Sequence, residues 1–134
     1  MLYLDTSAFL KLLVNEEFST DAREALGQFD LWSSTLLDVE GHRAARRLEV
    51  ATDTVARHLE AVTLITMADE TIVLARTIGN DTLKTLDAIH LATATELGDD
   101  LEGIATYDRR LAGAAADAAI TVVAPGLEDQ WWQR

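Results

Sequence analysis

The amino-acid sequence predicts an α/β fold of three layers, in which a central parallel sheet of about five strands is flanked by helices. Three observations support this prediction. The chain has 134 residues, a length that suits one domain. Short apolar runs alternate with stretches of helical periodicity along the chain. Two acidic residues, Asp5 and Asp108, directly follow predicted strands, as at the carboxyl edge of an open parallel sheet.

The first half of the chain contains seven such patterns. Apolar β-type runs predict strands at residues 2–4, 31–33 and 62–66. Apolar residues at helical spacing, with capping candidates before them and glycine or polar residues after them, predict helices. The first is indicated by Phe9, Leu10, Leu12 and Leu13 after the capping candidates at 5–7, and the others cover residues 19–27, 36–50 and 52–61.

The second half continues the alternation. Helices are predicted at residues 69–78 and 85–97, which are followed by Gly79 and Gly98 as stop signals. The second of these has the clearest pattern, with Leu86 and Ile89 on its apolar stripe. Strands at 104–106 and 120–123 enclose an alanine-rich helix at 112–119. Strands joined through helices imply parallel pairing.

Composition excludes several classes of protein. The 23 acidic and 11 basic residues give a net charge of −12, which disfavours a general nucleic-acid coat protein. The absence of cysteine excludes disulfide scaffolds, thiolate zinc sites and cysteine nucleophiles. No apolar run approaches the roughly 20 residues that a membrane helix needs, and the first residues lack a basic leader. The sequence therefore predicts a cytoplasmic protein with no membrane association.

Four carboxylates are candidates for a metal site. Asp5 and Asp108 end two predicted strands, and Glu40 and Asp87 project from helices. Like charges that meet at one sheet edge either acquire raised pKa values or bind a cation. Oxygen ligands without thiolates suit Mg²⁺ or Mn²⁺, and the chemistry implied is phosphoryl transfer to water.

Each carboxylate also has a structural interpretation, and position alone leaves both open. Asp5 and Asp108 can cap the helices that follow them. Glu40 can pair with an arginine on its own helix. Asp87 suits the first turn of a helix whatever its function, and His90 one turn later is more typical of a packing residue or a supporting contact than of a metal ligand.

Four segments carry more specific information when they are taken together. They are LDTSA at 4–8, SSTLLDVE at 33–40, LDAIHLATA at 86–94 and TYDRRL at 106–111. In this order, across nearly the whole chain, they resemble the PIN domain family and more narrowly VapC-type toxin ribonucleases. The resemblance implies one PIN domain over residues 1–134. It also implies a metal-dependent endoribonuclease that forms a homodimer, acts on RNA and is neutralised by a cognate VapB-type antitoxin.

The same resemblance assigns roles to individual residues. It implies an acidic quartet of Asp5, Glu40, Asp87 and Asp108 that holds Mg²⁺ or Mn²⁺, and makes Thr106 a hydroxyl residue that supports the metal or its water. Thr6 and Ser7 are candidate supporting residues. The candidate phosphate contacts are arginines, whose two donors match phosphate oxygens, and they are Arg43, Arg46, Arg47, Arg109 and Arg110.

Competing interpretations remain from other classes of protein. A receiver-like signalling domain also places aspartates at parallel strand ends, but it expects an acidic pair near the first strand and a lysine after a late one. The lysines here are Lys11 and Lys84. A haloacid-dehalogenase-like phosphatase expects an aspartate at the position of Ser7. A catalytically silent PIN-like interaction module also remains, because sequence does not report activity.

Overall fold

A sheet of five short parallel strands forms the centre of the computed structural model, which describes residues 1–134. The strands lie in the order β3-β2-β1-β4-β5, and every neighbouring pair is parallel. Their bounds are β1 Leu2–Leu4, β2 Leu31–Ser34, β3 Val62–Ile65, β4 Gly103–Ala105 and β5 Val122–Val123. The prediction of a parallel α/β sheet is confirmed.

Seven α-helices connect and cover these strands. They are α1 Thr6–Leu13, α2 Ser19–Leu26, α3 Leu36–Arg47, α4 Thr52–Leu59, α5 Asp69–Ala75, α6 Thr85–Thr95 and α7 Arg109–Asp117. None of them has the length and apolar character needed to cross a bilayer.

The two faces of the sheet carry separate cores, because successive side chains of a strand point to opposite faces. Leu2 and Leu4 of β1 pack with residues of α1 to α4 in the larger core. Tyr3, between them, packs with residues of α6 and α7 in the smaller core. Helices therefore cover both faces, and the predicted three layers are confirmed.

Several predicted boundaries were wrong, most of them by a few residues at helix ends. Helix α3 ends at Arg47 rather than residue 50, because Glu49 adopts a left-handed φ of 59° and the Val50 amide bonds back to Ala45 O at 2.9 Å. This is a helix-ending motif in which glycine is the usual residue. The same motif at Ala119 (φ 60°) ends α7 and leaves Ile120 outside β5.

Helix α7 also begins earlier than predicted, at Arg109 rather than residue 112, because the Asp108 side chain accepts a hydrogen bond from the Leu111 amide and caps it. Helix α6 is confirmed, but its burial is wider than the predicted stripe. Leu86 is 46% exposed, whereas His90, Leu91 and Ala94 are buried against the sheet.

Candidate active site

The predicted site residues lie where β1 and β4 end side by side. The strand order reverses at this point, because β2 and β3 lie on one side of β1, whereas β4 and β5 lie on its other side. Asp5 directly follows β1, and its amide bonds to Ala105 O at the end of β4 at 3.1 Å. Asp108 follows three residues after Ala105. Such a switch point forms a crevice at the carboxyl ends of the strands.

Asp5 is a buried carboxylate whose oxygens are both hydrogen-bonded. Its Oδ1 accepts a hydrogen bond from the Ala8 amide at 2.9 Å, and this contact caps α1. The same oxygen lies 2.7 Å from Ser7 Oγ. Its Oδ2 accepts from Thr106 Oγ1 at 2.6 Å. Burial raises the pKa of Asp5, and the hydrogen bonds from Thr106, Ala8 and Ser7 oppose that rise. Helix capping and a place in the candidate site are therefore compatible roles.

Two hydroxyl groups tie the ends of β1 and β4 together. Thr106, which is fully buried, donates to Asp5 and accepts from the Asp108 amide at 3.0 Å. Ser7 accepts from the Tyr107 amide at 2.8 Å. The Asp108 side chain caps α7 through Oδ1, and its Oδ2 makes no hydrogen bond within the chain. These contacts fix the relative positions of Asp5 and Asp108.

Glu40 is held by residues of two other elements. Its Oε1 accepts from Thr6 Oγ1 at 2.9 Å and lies 2.6 Å from His90 Nε2. Although burial acts to raise the pKa of Glu40, the hydrogen bonds from His90 and Thr6 hold that pKa below its ordinary value. No ion pair joins Glu40 to an arginine of α3, so the structural interpretation of that residue was wrong.

Asp87 differs from the other three acids because it makes no hydrogen bond through its side chain. It lies half-buried in the first turn of α6. Burial raises its pKa to about 6, together with the negative charges of Asp108, Asp5 and Glu40, against an opposing contribution from His90. The four predicted acids therefore lie close enough to act on one another electrostatically.

The donor set of this acidic cluster, defined as Asp5, Glu40, Asp87 and Asp108, fits a hard divalent cation. None of its carboxylates pairs with lysine or arginine, and oxygens on Asp87, Asp108 and Glu40 carry no hydrogen bond. No three Asp, Glu, His or Cys side chains are arranged to hold an ion by themselves. Mg²⁺ commonly binds through one or two carboxylates and retains several waters, which this arrangement allows.

The predicted phosphate contacts are exposed arginines that belong to no ion pair. Arg109 and Arg110 open α7 directly after Asp108. Arg43, Arg46 and Arg47 alone line a depression of about 370 Å³. Positions three and four apart share a face of a helix, so Arg43 and Arg47 lie on the same side of α3 as Glu40.

Tyr3 is a residue beside the candidate site that the sequence interpretation missed. Its hydroxyl lies 2.7 Å from His90 Nδ1, within the smaller core. A buried tyrosine usually has a hydrogen-bond partner, and this was the one available signal. A separate cavity of about 510 Å³ lies between α5 and α6 and is lined by residues that include Met67, Ile72 and Leu83.

Comparison with known proteins gives a consistent result. The PIN domain family model matches residues 2–117. Ribonuclease VapC47 of Mycobacterium tuberculosis is 38% identical over 133 residues, which cover 94% of this chain and 98% of the relative. Ribonuclease VapC46 of the same species is 39% identical over 126 residues, covering 92% and 97%.

Two solved structures share the fold. A toxin-antitoxin complex from Klebsiella pneumoniae contains a chain with a TM-score of 0.70 and 20% identity, covering 93% of this chain and 98% of that one. VapC20 of M. tuberculosis, described as a toxin that cleaves the sarcin-ricin loop, has a TM-score of 0.74 and 15% identity, covering 93% and 100%. The family match argues against the receiver-like and phosphatase-like alternatives. The chain belongs to the PIN domain family and, within it, to the VapC-type group.

Proposed function

We propose that this chain is a divalent-metal-dependent endoribonuclease that acts at the acidic cluster, and that it is the toxin of a VapBC-type toxin–antitoxin system. The observation that carries the proposal is the state of Asp87. This carboxylate is half-buried and has no hydrogen-bond donor, and its burial, together with the negative charges of Asp108, Asp5 and Glu40, raises its pKa to about 6. A cation relieves that repulsion. Curated relatives with 38% and 39% identity are named ribonucleases, which supports RNA as the substrate.

The cluster divides into residues that are fixed and residues that are free. Asp5 and Asp87 are the proposed principal ligands of Mg²⁺ or Mn²⁺, and Asp108 and Glu40 complete the site directly or through water. Asp5 is immobilised by Ser7, Ala8 and Thr106, so its position is set before any ion binds. Asp87, without such contacts, is free to adjust to the ion. Thr106 supports the site by orienting Asp5.

The proposed reaction is hydrolysis of an RNA phosphodiester. The oxygen of water forms a bond to phosphorus, the bond from phosphorus to the leaving ribose oxygen breaks, and that oxygen takes up a proton. A carboxylate of the cluster orients the water and accepts its proton. A bound divalent ion supplies positive charge that stabilises the charge developing on the phosphoryl oxygens and lowers the pKa of water.

Cleavage of RNA by the purified chain tests this function directly. We expect cleavage with Mn²⁺ and none with a chelator, and we expect Asp5→Asn and Asp87→Asn to abolish it. Cleavage that persists in both variants would identify a contaminating nuclease. Absence of cleavage by the wild type over a range of structured RNAs and both metals would favour the silent interaction module.

We further propose that the basic stripe, defined as Arg43, Arg46 and Arg47, binds RNA phosphates that flank the cleaved bond, as do Arg109 and Arg110. Along the axis of α3, Arg43 and Arg47 lie about 4.5 and 10.5 Å beyond Glu40. Their guanidinium groups have no acidic partner, in a chain with a net charge of −12. A strand held at the acidic cluster therefore meets uncompensated positive charge along this helix.

The double variant Arg43→Ala/Arg47→Ala is expected to raise KM for RNA roughly tenfold and to leave kcat nearly unchanged, because it removes side chains that bind phosphates which do not react. The slope of log KM against log salt should also become shallower, by about 0.7 for each phosphate that the variant no longer neutralises. Arg57→Ala on α4 is the matched control, since Arg57 lies beside Leu31 and Val62 at the opposite edge of the sheet. An equal increase in KM for Arg57→Ala would show that RNA binding depends on the net charge of the chain and not on the position of these arginines.

The proposed partners are a second copy of the chain and an antitoxin. Apolar side chains that remain exposed around the α5–α6 cavity support a homodimer, and they are Met67, Ile72, Val73 and Leu86.

The fold shared with a chain of a toxin-antitoxin complex supports the antitoxin, and a net charge of −12 favours a basic segment in the antitoxin. An arginine of that segment that reaches the acidic cluster would displace the metal. Unchanged nuclease activity with antitoxin bound would contradict this. An RNA substrate supports a cytoplasmic location.

A further inference from the structure

We infer that Tyr3 and His90 are positioning residues that hold Glu40 in place at the acidic cluster. The inference rests on the proposed function, because it concerns how the same site is organised. It starts from a chain of hydrogen bonds that runs from the core on the α6–α7 side of the sheet to the rim of the crevice. Tyr3 is 0% exposed, His90 1% and the Glu40 side chain 20%.

The contacts are short and come from four separate elements. Tyr3 Oη on β1 lies 2.7 Å from His90 Nδ1 on α6, and His90 Nε2 lies 2.6 Å from Glu40 Oε1 on α3. The backbone amide of Ser34, at the end of β2, donates to Tyr3 Oη at 3.2 Å. Thr6, at the start of α1, donates to the same Glu40 oxygen. Residues of α1 and α6 therefore contact one carboxylate directly, and residues of β1 and β2 are linked to it through His90.

The network also determines which ring nitrogen carries the proton. Tyr3 Oη already accepts from the Ser34 amide, and the nearby hydroxyls of Ser33 and Thr93 donate to backbone carbonyls. We therefore assign the Tyr3 proton to His90 Nδ1, which lies 2.7 Å from Tyr3 Oη. A tyrosine hydroxyl, whose ordinary pKa is about 10, is protonated at neutral pH and is therefore a donor. His90 then accepts at Nδ1 and donates from Nε2–H to Glu40. Tyr3 thereby selects the tautomer that Glu40 requires.

Glu40 has a particular need for such support. A glutamate on a helix has three side-chain torsions and loses considerable rotamer freedom when it is fixed. The negative charge of Asp87 repels it. Two donors on Oε1 oppose that repulsion and leave Oε2 without an intramolecular partner. An oxygen that is positioned but unoccupied is suited to contact a metal or its water.

The first test uses the metal-free protein and requires no activity. Nitrogen-15 NMR of histidine side chains at about pH 8, where a free imidazole is neutral, should place the His90 proton on Nε2. Tyr3→Phe should shift the Nδ1 resonance of His90, while the resonances of His58 stay constant. His58 is the internal control because its Nδ1 contacts Thr54 O within its own helix. A His90 ring without a proton on Nε2 would overturn the inference.

The second test separates positioning from packing through two variants of His90. Glutamine places its amide nitrogen near the position of Nε2 and can still donate to Glu40, whereas asparagine is too short. We expect His90→Asn to lower Mn²⁺ affinity and cleavage by about 10- to 100-fold, and His90→Gln to recover most of that loss. Thermal melts of each variant report the fold, and Tyr3→Phe supplies a milder perturbation if His90→Asn does not fold.

The outcomes are distinguishable from failure of the proposed function. Equal losses in His90→Asn and His90→Gln, at equal thermal stability, would assign His90 to packing and overturn the inference. The same pair at His58 should change neither metal affinity nor cleavage. If the wild type cleaves no RNA, the proposed function fails, and the NMR and Mn²⁺ titrations still decide whether Tyr3 and His90 position Glu40.

Discussion

The Asp87→Asn variant should lose at least about 100-fold in RNA cleavage and yet unfold at a higher temperature than the wild type in the absence of divalent metal. The two effects have one cause. The Asp87 carboxylate is unpaired, half-buried and repelled by Asp108, Asp5 and Glu40, which is unfavourable for the fold and favourable for a cation. Asparagine is nearly the same shape and carries no charge.

The sign of the stability change follows from proton linkage. Asp87 has an ordinary pKa of 3.8 and a folded-state pKa of about 6, so the folded chain binds more protons between these values. Its contribution to stability is therefore lost as pH rises from about 4 to about 6, and the cost persists at neutral pH. Two pKa units correspond to about 3 kcal/mol. Solvent screening of a half-exposed group and the loss of its interaction with the helix dipole reduce the expected gain to about 1 kcal/mol.

Thermal melts of the metal-free proteins at neutral and acidic pH test this prediction. A gain of about 1 kcal/mol corresponds to roughly 4 °C for a domain of this size, and the gain should disappear near pH 4. Asp53→Asn is the matched control, because Asp53 also lies in the first turn of a helix but is exposed and outside the cluster. That control should be slightly destabilised. A destabilised Asp87→Asn protein would show that Asp87 is not under electrostatic repulsion.

Manganese is expected to reverse the order of stability of the two proteins. An ion that binds the folded chain alone stabilises it by about 2.7 kcal/mol at a concentration of 100 times Kd. This corresponds to an increase of roughly 10 °C in the melting temperature of the wild type. Asp87→Asn lacks a proposed principal ligand and should gain far less at the same concentration.

Calorimetric or fluorescence melts over a Mn²⁺ titration provide this measurement. Mg²⁺ should act in the same direction, and equal ionic strength of NaCl serves as the control for general screening of the net charge of −12. An equal shift in wild type and Asp87→Asn would place the bound ion away from the acidic cluster. No shift with either metal would argue against a divalent ion at this site.

The sequence predicted the fold well because local signals and the global topology agree. Asp5 and Asp108 follow strands and cap helices, and both signals place them at the carboxyl edge of the sheet. Helix ends were less predictable. Glu49 and Ala119 adopt the left-handed conformation that usually indicates glycine, so the residue type at these positions gave no signal of a helix end.

The candidate site is a prediction of residue types, and its contacts could not be predicted from the sequence. Motif resemblance selected Asp5, Glu40, Asp87, Asp108 and Thr106. It could not show that Thr106 donates to Asp5, because that contact depends on the register of β1 against β4. Nor could it show that Asp87 on α6 lacks a partner, because that depends on how α6 packs in the folded chain. Tyr3 was missed since a buried strand residue is ordinarily assigned to packing, and its partner lies 87 residues away.

The central claim is that four acids distant in the sequence share one hydrated cation. A crystal structure of the protein grown with Mn²⁺, with anomalous diffraction recorded near the manganese edge, tests it most directly. The account predicts an anomalous peak in the crevice between the ends of β1 and β4, contacted by Asp5 and Asp87 and, directly or through water, by Asp108 and Glu40. Ordered carboxylates with no peak among them, at a Mn²⁺ concentration that supports RNA cleavage, would contradict it.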